Sequence, residues 1–335
     1  MIIFSIKLTN KKINFSDCQA IIFDIDGVLV DVKKSYDQAI IKTVQFVLIK
    51  SFNTNVNNFP FQYIISKLRN TGGFNNDIDT AYSIVLIILY CIFINKMNTD
   101  KTIQVFHNIL EKLDDRGKDS VEKELGKIGN ITSITKELRY PSDDDTISTL
   151  FNEIFYGPIL YKERFNKEPI YYFDEPLISK DILIIKESTI RLLSEKLNGN
   201  LGLISGRSKI ASCFTLNSII NYFNENACVF LEDENREFSK PNTFSLHKVF
   251  DNLKLTSALY VGDSIADLSM VENFRKQTGE DRIFFCGVYG DDDGDDDGEN
   301  NKASNEKKRL LKSNNADIIV KNVNDLPNIL NNTKN

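Results

Sequence analysis

The chain has 335 residues, 41% of them hydrophobic, with a formal net charge of -6, five cysteines and two histidines. That share of apolar residues builds a substantial core in one large domain or two smaller ones, and the acidic balance argues against a nucleic-acid surface, which needs clustered basic side chains. Cys18, Cys91, Cys213, Cys228 and Cys286 form no C-x-x-C pair, so neither a zinc site nor a disulfide framework is expected, and free thiols fit a reducing cytoplasm.

Met1–Lys7 lacks a basic segment followed by a long apolar one, so no secretory signal is expected. Ala20-Ile21-Ile22-Phe23 reads as a short buried strand, closed by Asp24 and Asp26 and followed by Gly27, which lets the backbone turn sharply. After Asp31 the pattern becomes helical. Ser35 and Gln38 stand at capping-box spacing, and Ile40, Val44, Val47 and Leu48 form one stripe. Beyond the asparagine-rich Asn53–Asn58, the polar turn Thr71–Asp77 precedes an apolar helix predicted over Thr80–Asn95. The Ser83–Ile94 core of that helix falls well short of the roughly 18 residues a membrane span needs. The turn is a candidate specificity loop or a plain connection.

Residues 96–146 are charged and weakly periodic, which reads as a partly mobile insertion. Leu150–Tyr172 returns the chain to packed helix. A helix predicted over Ile182–Leu197 stops at Asn198-Gly199, and Leu201–Ile204, Ala227–Leu231, Ala258–Val261 and Ile283–Val288 read as buried strands. Strands alternating with helices imply an α/β fold with a parallel sheet. The acidic run Asp291–Asp297 fits a calcium loop poorly, because Ser304 falls where a bidentate glutamate is needed. Residues 291–305 therefore read as a disordered acidic loop.

The strand ends carry the chemistry. Open parallel sheets bind ligands outside the carboxyl ends of their strands, where Asp24 and Asp26 lie. An ionised aspartate attacks phosphorus without a general base, and a second one two residues on can give a proton to the leaving oxygen and later take one from water. An isolated pair of this kind usually faces solvent; its downstream partners change that reading. Ser205 closes a strand with a hydroxyl, Gly206 exposes a backbone N–H for a phosphate oxygen, and Lys240 before Pro241 supplies a fixed positive charge. Asp263 and Asp267 add hard oxygen ligands suited to Mg²⁺, which so many carboxylates require. Like-charge neighbours around Asp26 favour its protonated form, as suits a general acid.

The order D-x-D-G-V-L, S-G-R, K-P and G-D-x-x-x-D resembles the four motifs of the haloacid dehalogenase superfamily of phosphohydrolases, and is similar to its capped, phosphoglycolate phosphatase-like branch. The resemblance implies a Rossmann-like core over residues 1–33 and 174–335 and an inserted helical cap over 34–173. It implies Asp24 as nucleophile, Asp26 as acid/base and, through its backbone carbonyl, metal ligand, Asp263 as carboxylate metal ligand and Asp267 as support for the metal shell. Ser205, Gly206 and Lys240 would hold the phosphoryl group. Lys67, Arg69, Asn75, Asn76 and Arg207 are candidate substrate contacts. Asp26 points to phosphate esters rather than to dehalogenation. The expected activity is Mg²⁺-dependent hydrolysis of a small phosphorylated metabolite by a cytoplasmic protein, with no nucleic-acid or membrane partner. A sugar-phosphate mutase and a catalytically silent binding protein stand as alternatives, and the oligomeric state is not legible.

Overall fold

A computed structural model describes residues 18–331, apart from 55, 57–58, 75, 95, 97, 143, 280–281 and 291–297. Asn75, the Met1–Lys7 start and the acidic run Asp291–Asp297 thus lie outside the described residues. The chain divides into two compact units, one of Val32–Asp181 and one made of the residues up to Asp31 with those from Ile182 onward. The sequence placed the second boundary earlier, at 173/174. Leu177 and Ile178 are buried in a 3-10 turn that packs on the helical unit, and the Ser35 hydroxyl donates to Asp181, so residues 174–181 belong with the helices.

The helical unit comprises α1 (Tyr36–Phe52), α2 (Phe61–Asn70), α3 (Asp77–Leu89), α4 (Thr99–Leu110), α5 (Lys118–Ile128), α6 (Thr132–Leu138) and α7 (Thr146–Phe165). Every residue of α3 from Asp79 to Leu89 is buried, as expected of a helix that is apolar on all sides and surrounded by others. Its start is set by Asn76, whose side chain accepts the Ile78 N–H at 2.9 Å. The capping box expected at Ser35 does not form; its hydroxyl bonds Val32 O and Asp181 instead. Helix α2 was missed, although Phe61, Ile64, Ile65 and Leu68, all buried, show helical spacing.

Residues 96–146 are the larger correction, because they fold into three helices. Phe106, Ile109, Val121, Leu125, Ile134 and Leu138 are buried while Lys123 and Lys127 are exposed. Sparse apolar anchors one turn apart were enough. The polar turn after α2 has a packing role of its own: a Cβ on Gly73 would lie 2.4 Å from the Gly117 nitrogen, so two backbone turns meet there without side chains.

The second unit carries β1 (Ala20–Phe23), β2 (Val30–Asp31), β3 (Ile182–Leu183), β4 (Leu201–Ser205), β5 (Cys228–Phe230), β6 (Ala258–Gly262), β7 (Ile283–Val288) and β8 (Ile318–Val320). Its helices are α8 (Glu187–Lys196), α9 (Lys209–Leu216), α10 (Phe244–Leu253), α11 (Ile265–Thr278), α12 (Gly298–Ser313) and α13 (Leu326–Asn331). Six strands form a parallel sheet in the order β5-β4-β1-β6-β7-β8. Ile22, Ile204 and Tyr260 from its centre pack with Leu246 and Phe250 of α10 and Val271 and Phe274 of α11.

Two expectations fail here for identifiable reasons. Ile182 and Leu183 do not begin a helix; they pair antiparallel with Asp31 and Val30, and Leu29 O accepts the N–H groups of Ile184 and Ile185. Residues 298–305, read as disordered loop, lie in α12. Among the described residues no helix is long and apolar enough to cross a membrane.

Candidate active site

The chain runs outward from β1 through β4 to β5, then returns to the other side of β1 as β6. The carboxyl ends of β1, β4 and β6 therefore meet at a topological switch point, the place where open α/β sheets leave a crevice. The register sets Phe23 beside Leu203 and Val261, and the Asp24 N–H donates to Val261 O at 2.9 Å. Asp24, Ser205 and Asp263 thus arise from three neighbouring strand ends.

Asp24 is 7% exposed and its Oδ1 accepts the N–H of Ile25 at 2.7 Å. Lys240 Nζ lies 2.9 Å from Asp24 Oδ2 and 2.7 Å from Asp267 Oδ1. Asp267 is fully buried and well held. Tyr260 donates to its Oδ1 at 2.8 Å, and Ser264 Oγ to its Oδ2 at 2.6 Å, while its carboxylate closes the capping box that starts α11. One oxygen from each of Asp24, Asp263 and Asp267 falls within 4.8 Å of the others.

Burial pushes the Asp24 carboxyl well above the usual carboxylate range; Lys240 pulls it back, but Asp267, Asp263 and Asp26 push it up again. Burial works the same way on Asp267, yet Lys240 and the bonds from Ser264 and Tyr260 outweigh it and hold Asp267 low. Lys240 is raised, its own desolvation overcome by the two carboxylates. The negative charge that this pocket accommodates least well therefore sits on Asp24. Three buried or half-buried carboxylate oxygens are the hard donor set that Mg²⁺ accepts, and a divalent cation would relieve that excess, so the residues fit such an ion.

Ser205 is buried and its hydroxyl accepts the Arg207 N–H at 3.2 Å, which shapes the turn at exposed Gly206. Arg207 has a fully buried side chain, with Nε 2.5 Å from Asp26 Oδ1 and Nη1 donating to Thr215 at 2.9 Å. The sequence reading surrounded Asp26 with like charges alone; the structure adds this guanidinium. The backbone N–H groups of Ser208 and Lys209 bond Glu232 and Asp233 and fix the start of α9.

Other candidates lie in the helical unit, where each has a partner. Arg69 bridges Asp37 at 2.7 Å and Asp77 at 2.8 Å, Asn76 caps α3, and Lys67 lies over the Tyr63 ring at 5.7 Å from its centroid. Sequence reasoning missed Tyr260, Thr215 and Lys307, the last an ion-pair partner of Asp263 from α12. Tyr260 reads as one more apolar strand residue, and nothing local ties Lys307 to Asp263 across 44 positions.

A parallel sheet with a carboxylate cluster and a buried lysine at its switch point defines a Rossmann-like catalytic core. The family model for haloacid dehalogenase-like hydrolases matches residues 18–275, and the chain belongs to that family. Solved structures agree on the fold. An X-ray structure designated Northeast Structural Genomics Consortium target ZR25 is 20% identical, covering 94% of this chain and 99% of the other with a TM-score of 0.58. The phosphatase Tt82 from Thermococcus thioreducens is 22% identical over 86% of this chain and 98% of its own, with a TM-score of 0.52. A phosphonoacetaldehyde hydrolase-like protein from Oleispira antarctica is 12% identical, covering 97% and 96%, with a TM-score of 0.50. No curated protein matches the chain.

Proposed function

We propose that the chain is a Mg²⁺-dependent phosphohydrolase acting on a small phosphomonoester, with Asp24 as its nucleophile. The observation that carries this reading is Asp24 itself, buried against Lys240, with oxygens of Asp263 and Asp267 within 4.8 Å at the carboxyl ends of the central strands. Asp24 and Asp263 would hold the ion, and Asp267, saturated by Lys240, Tyr260 and Ser264, would orient them. When bound, the ion offsets the carboxylates and the phosphoryl oxygens together.

Lys240, the Ser205 hydroxyl and the Gly206 N–H hold the phosphoryl group in line with Asp24. The Asp24 carboxylate attacks phosphorus, the ester P–O bond breaks, and Asp26 gives its proton to the departing oxygen. Asp26 then takes a proton from water as that water attacks the acyl phosphate, releasing inorganic phosphate and restoring Asp24. Arg207 holds one oxygen of Asp26 throughout, which fixes the direction of the other. Val32–Asp181 keeps in this reading the role of a cap that selects the leaving group.

Phosphate release from a panel of phosphomonoesters with and without Mg²⁺ tests the proposal. Turnover that needs Mg²⁺ and disappears in Asp24→Asn is expected. No turnover by the wild type, or undiminished turnover by the variant, would reject it. Hexose phosphates in the same panel separate hydrolysis from isomerisation by their products.

A further inference from the structure

Lys307 reaches the acid cluster from α12, an element that carries none of the four sequence motifs. Its ammonium contacts Asp263 Oδ2, with the lysine side chain 28% exposed and the carboxylate 19%. Across from it, a Cβ built on Gly27 would fall 2.0 Å from the same oxygen. The oxygen that meets Lys307 is therefore packed against the turn that follows the nucleophile strand, and Asp263 points into the cluster from a fixed position.

The two lysines of the cluster differ in kind. Lys240 is 7% exposed and wedged between two carboxylates, so it cannot leave without stranding both. Lys307 stands on a flexible stem with water at its side, and a lysine ammonium is a compact charge that readily exchanges one partner for another. A divalent ion held by Asp24 and Asp263 needs the carboxylate that Lys307 occupies, and like charges at contact distance repel.

We propose that Lys307 is an internal stand-in for the divalent ion: it neutralises Asp263 in the metal-free protein, gives up that contact when the metal enters, and thereby sets the metal affinity of the site. This rests on the metal-dependent reading above and deepens it. Stability then depends little on metal supply, because one cation replaces another, and the metal binds more weakly than its carboxylates alone would dictate.

The test is a calorimetric Mg²⁺ titration of the full chain without substrate, in the wild type, Lys307→Gln and Lys307→Arg. Lys307→Gln is expected to bind Mg²⁺ roughly tenfold more tightly, from removal of one nearby positive charge, and Lys307→Arg to stay near the wild type. In the wild type itself, acylation of the Lys307 amine, followed by mass spectrometry, is expected to rise when Mg²⁺ is added. Equal Mg²⁺ affinity in wild type and Lys307→Gln, weaker binding in Lys307→Gln, or acylation indifferent to Mg²⁺ overturns the inference and leaves the phosphohydrolase reading standing. Binding to none of the three proteins overturns both.

Discussion

Each unit of the molecule sets a cation between two carboxylates, half-buried in one and buried in the other, and the two clusters serve different ends. In the helical unit Arg69 joins Asp37 of α1 to Asp77 in the first turn of α3. Its two prongs meet one oxygen each, and Asp77 gains further support from the helix N-terminus. In the sheet unit Lys240 offers a single point charge to Asp24 and Asp267, with Asp263 and Asp26 close enough to raise Asp24 further. A cation between carboxylates is therefore no mark of chemistry. What separates the two is the number of further carboxylates: only Asp77 adds to the charge on Asp37, whereas Asp267, Asp263 and Asp26 all add to that on Asp24.

Lys240→Met should break the comparison most severely. It leaves two buried carboxylates unpaired, for a stability loss of about 3–5 kcal/mol, and it removes the fixed charge beside the nucleophile, for a loss of roughly 10³ in turnover. Chemical denaturation and phosphate release measure the two effects; a variant that keeps full activity would strip Lys240 of its proposed part in the reaction.

Arg69→Met should affect stability alone, by about 2 kcal/mol once its partial exposure is allowed for, with Mg²⁺ binding unchanged. Its pH dependence has a definite sign. Burial already raises the Asp37 carboxyl above its ordinary 3.8 despite Arg69, and losing Arg69 raises it further. A carboxyl whose folded value lies above its unfolded one binds protons on folding, so stability falls as pH rises through that window. The deficit of Arg69→Met should be full at neutral pH and shrink as the buffer is made more acidic and the raised Asp37 carboxyl takes up its proton. A deficit independent of pH would mean that Asp37 finds another cation.

Glu153 sharpens the contrast from a third side. It is a fully buried carboxylate on α7 that accepts the backbone N–H groups of Ile170, Tyr171 and Tyr172 at 2.6 to 2.9 Å. Glu153→Gln sets an amide N–H₂ against those donors and should lower stability by about 1–2 kcal/mol, read as a shift in denaturation midpoint. No shift would show that the Ile170–Tyr172 segment holds itself in place.

The sheet core was legible because its signals are local. Ala20–Phe23 and Ile283–Val288 are continuous apolar runs with turn residues at their ends, and both strands form with the boundaries expected. Asp24, Lys240, Asp263 and Asp267 were legible because their spacing is a motif, and the structure brings them together. Charge pairing across the fold was not. Arg207 was read as a candidate substrate contact; the structure pairs it with Asp26, a partner 181 positions away that local pattern does not indicate. The helices between residues 96 and 146 were hidden by their own surface, since charged residues outnumber the few buried anchors that hold them.

The short ribbon of β2 and β3 has a further consequence. Asp31 and Ile182, the last residue before the helical unit and the first after it, are direct partners across two antiparallel strands. In topological terms all of Val32–Asp181 is the loop of a β-hairpin. Closing a loop becomes only logarithmically harder as the loop lengthens. The sheet unit can therefore carry an insertion of almost any length at that position, and lineages built on this core could exchange one helical unit for another while the strands beneath Asp24 kept their register.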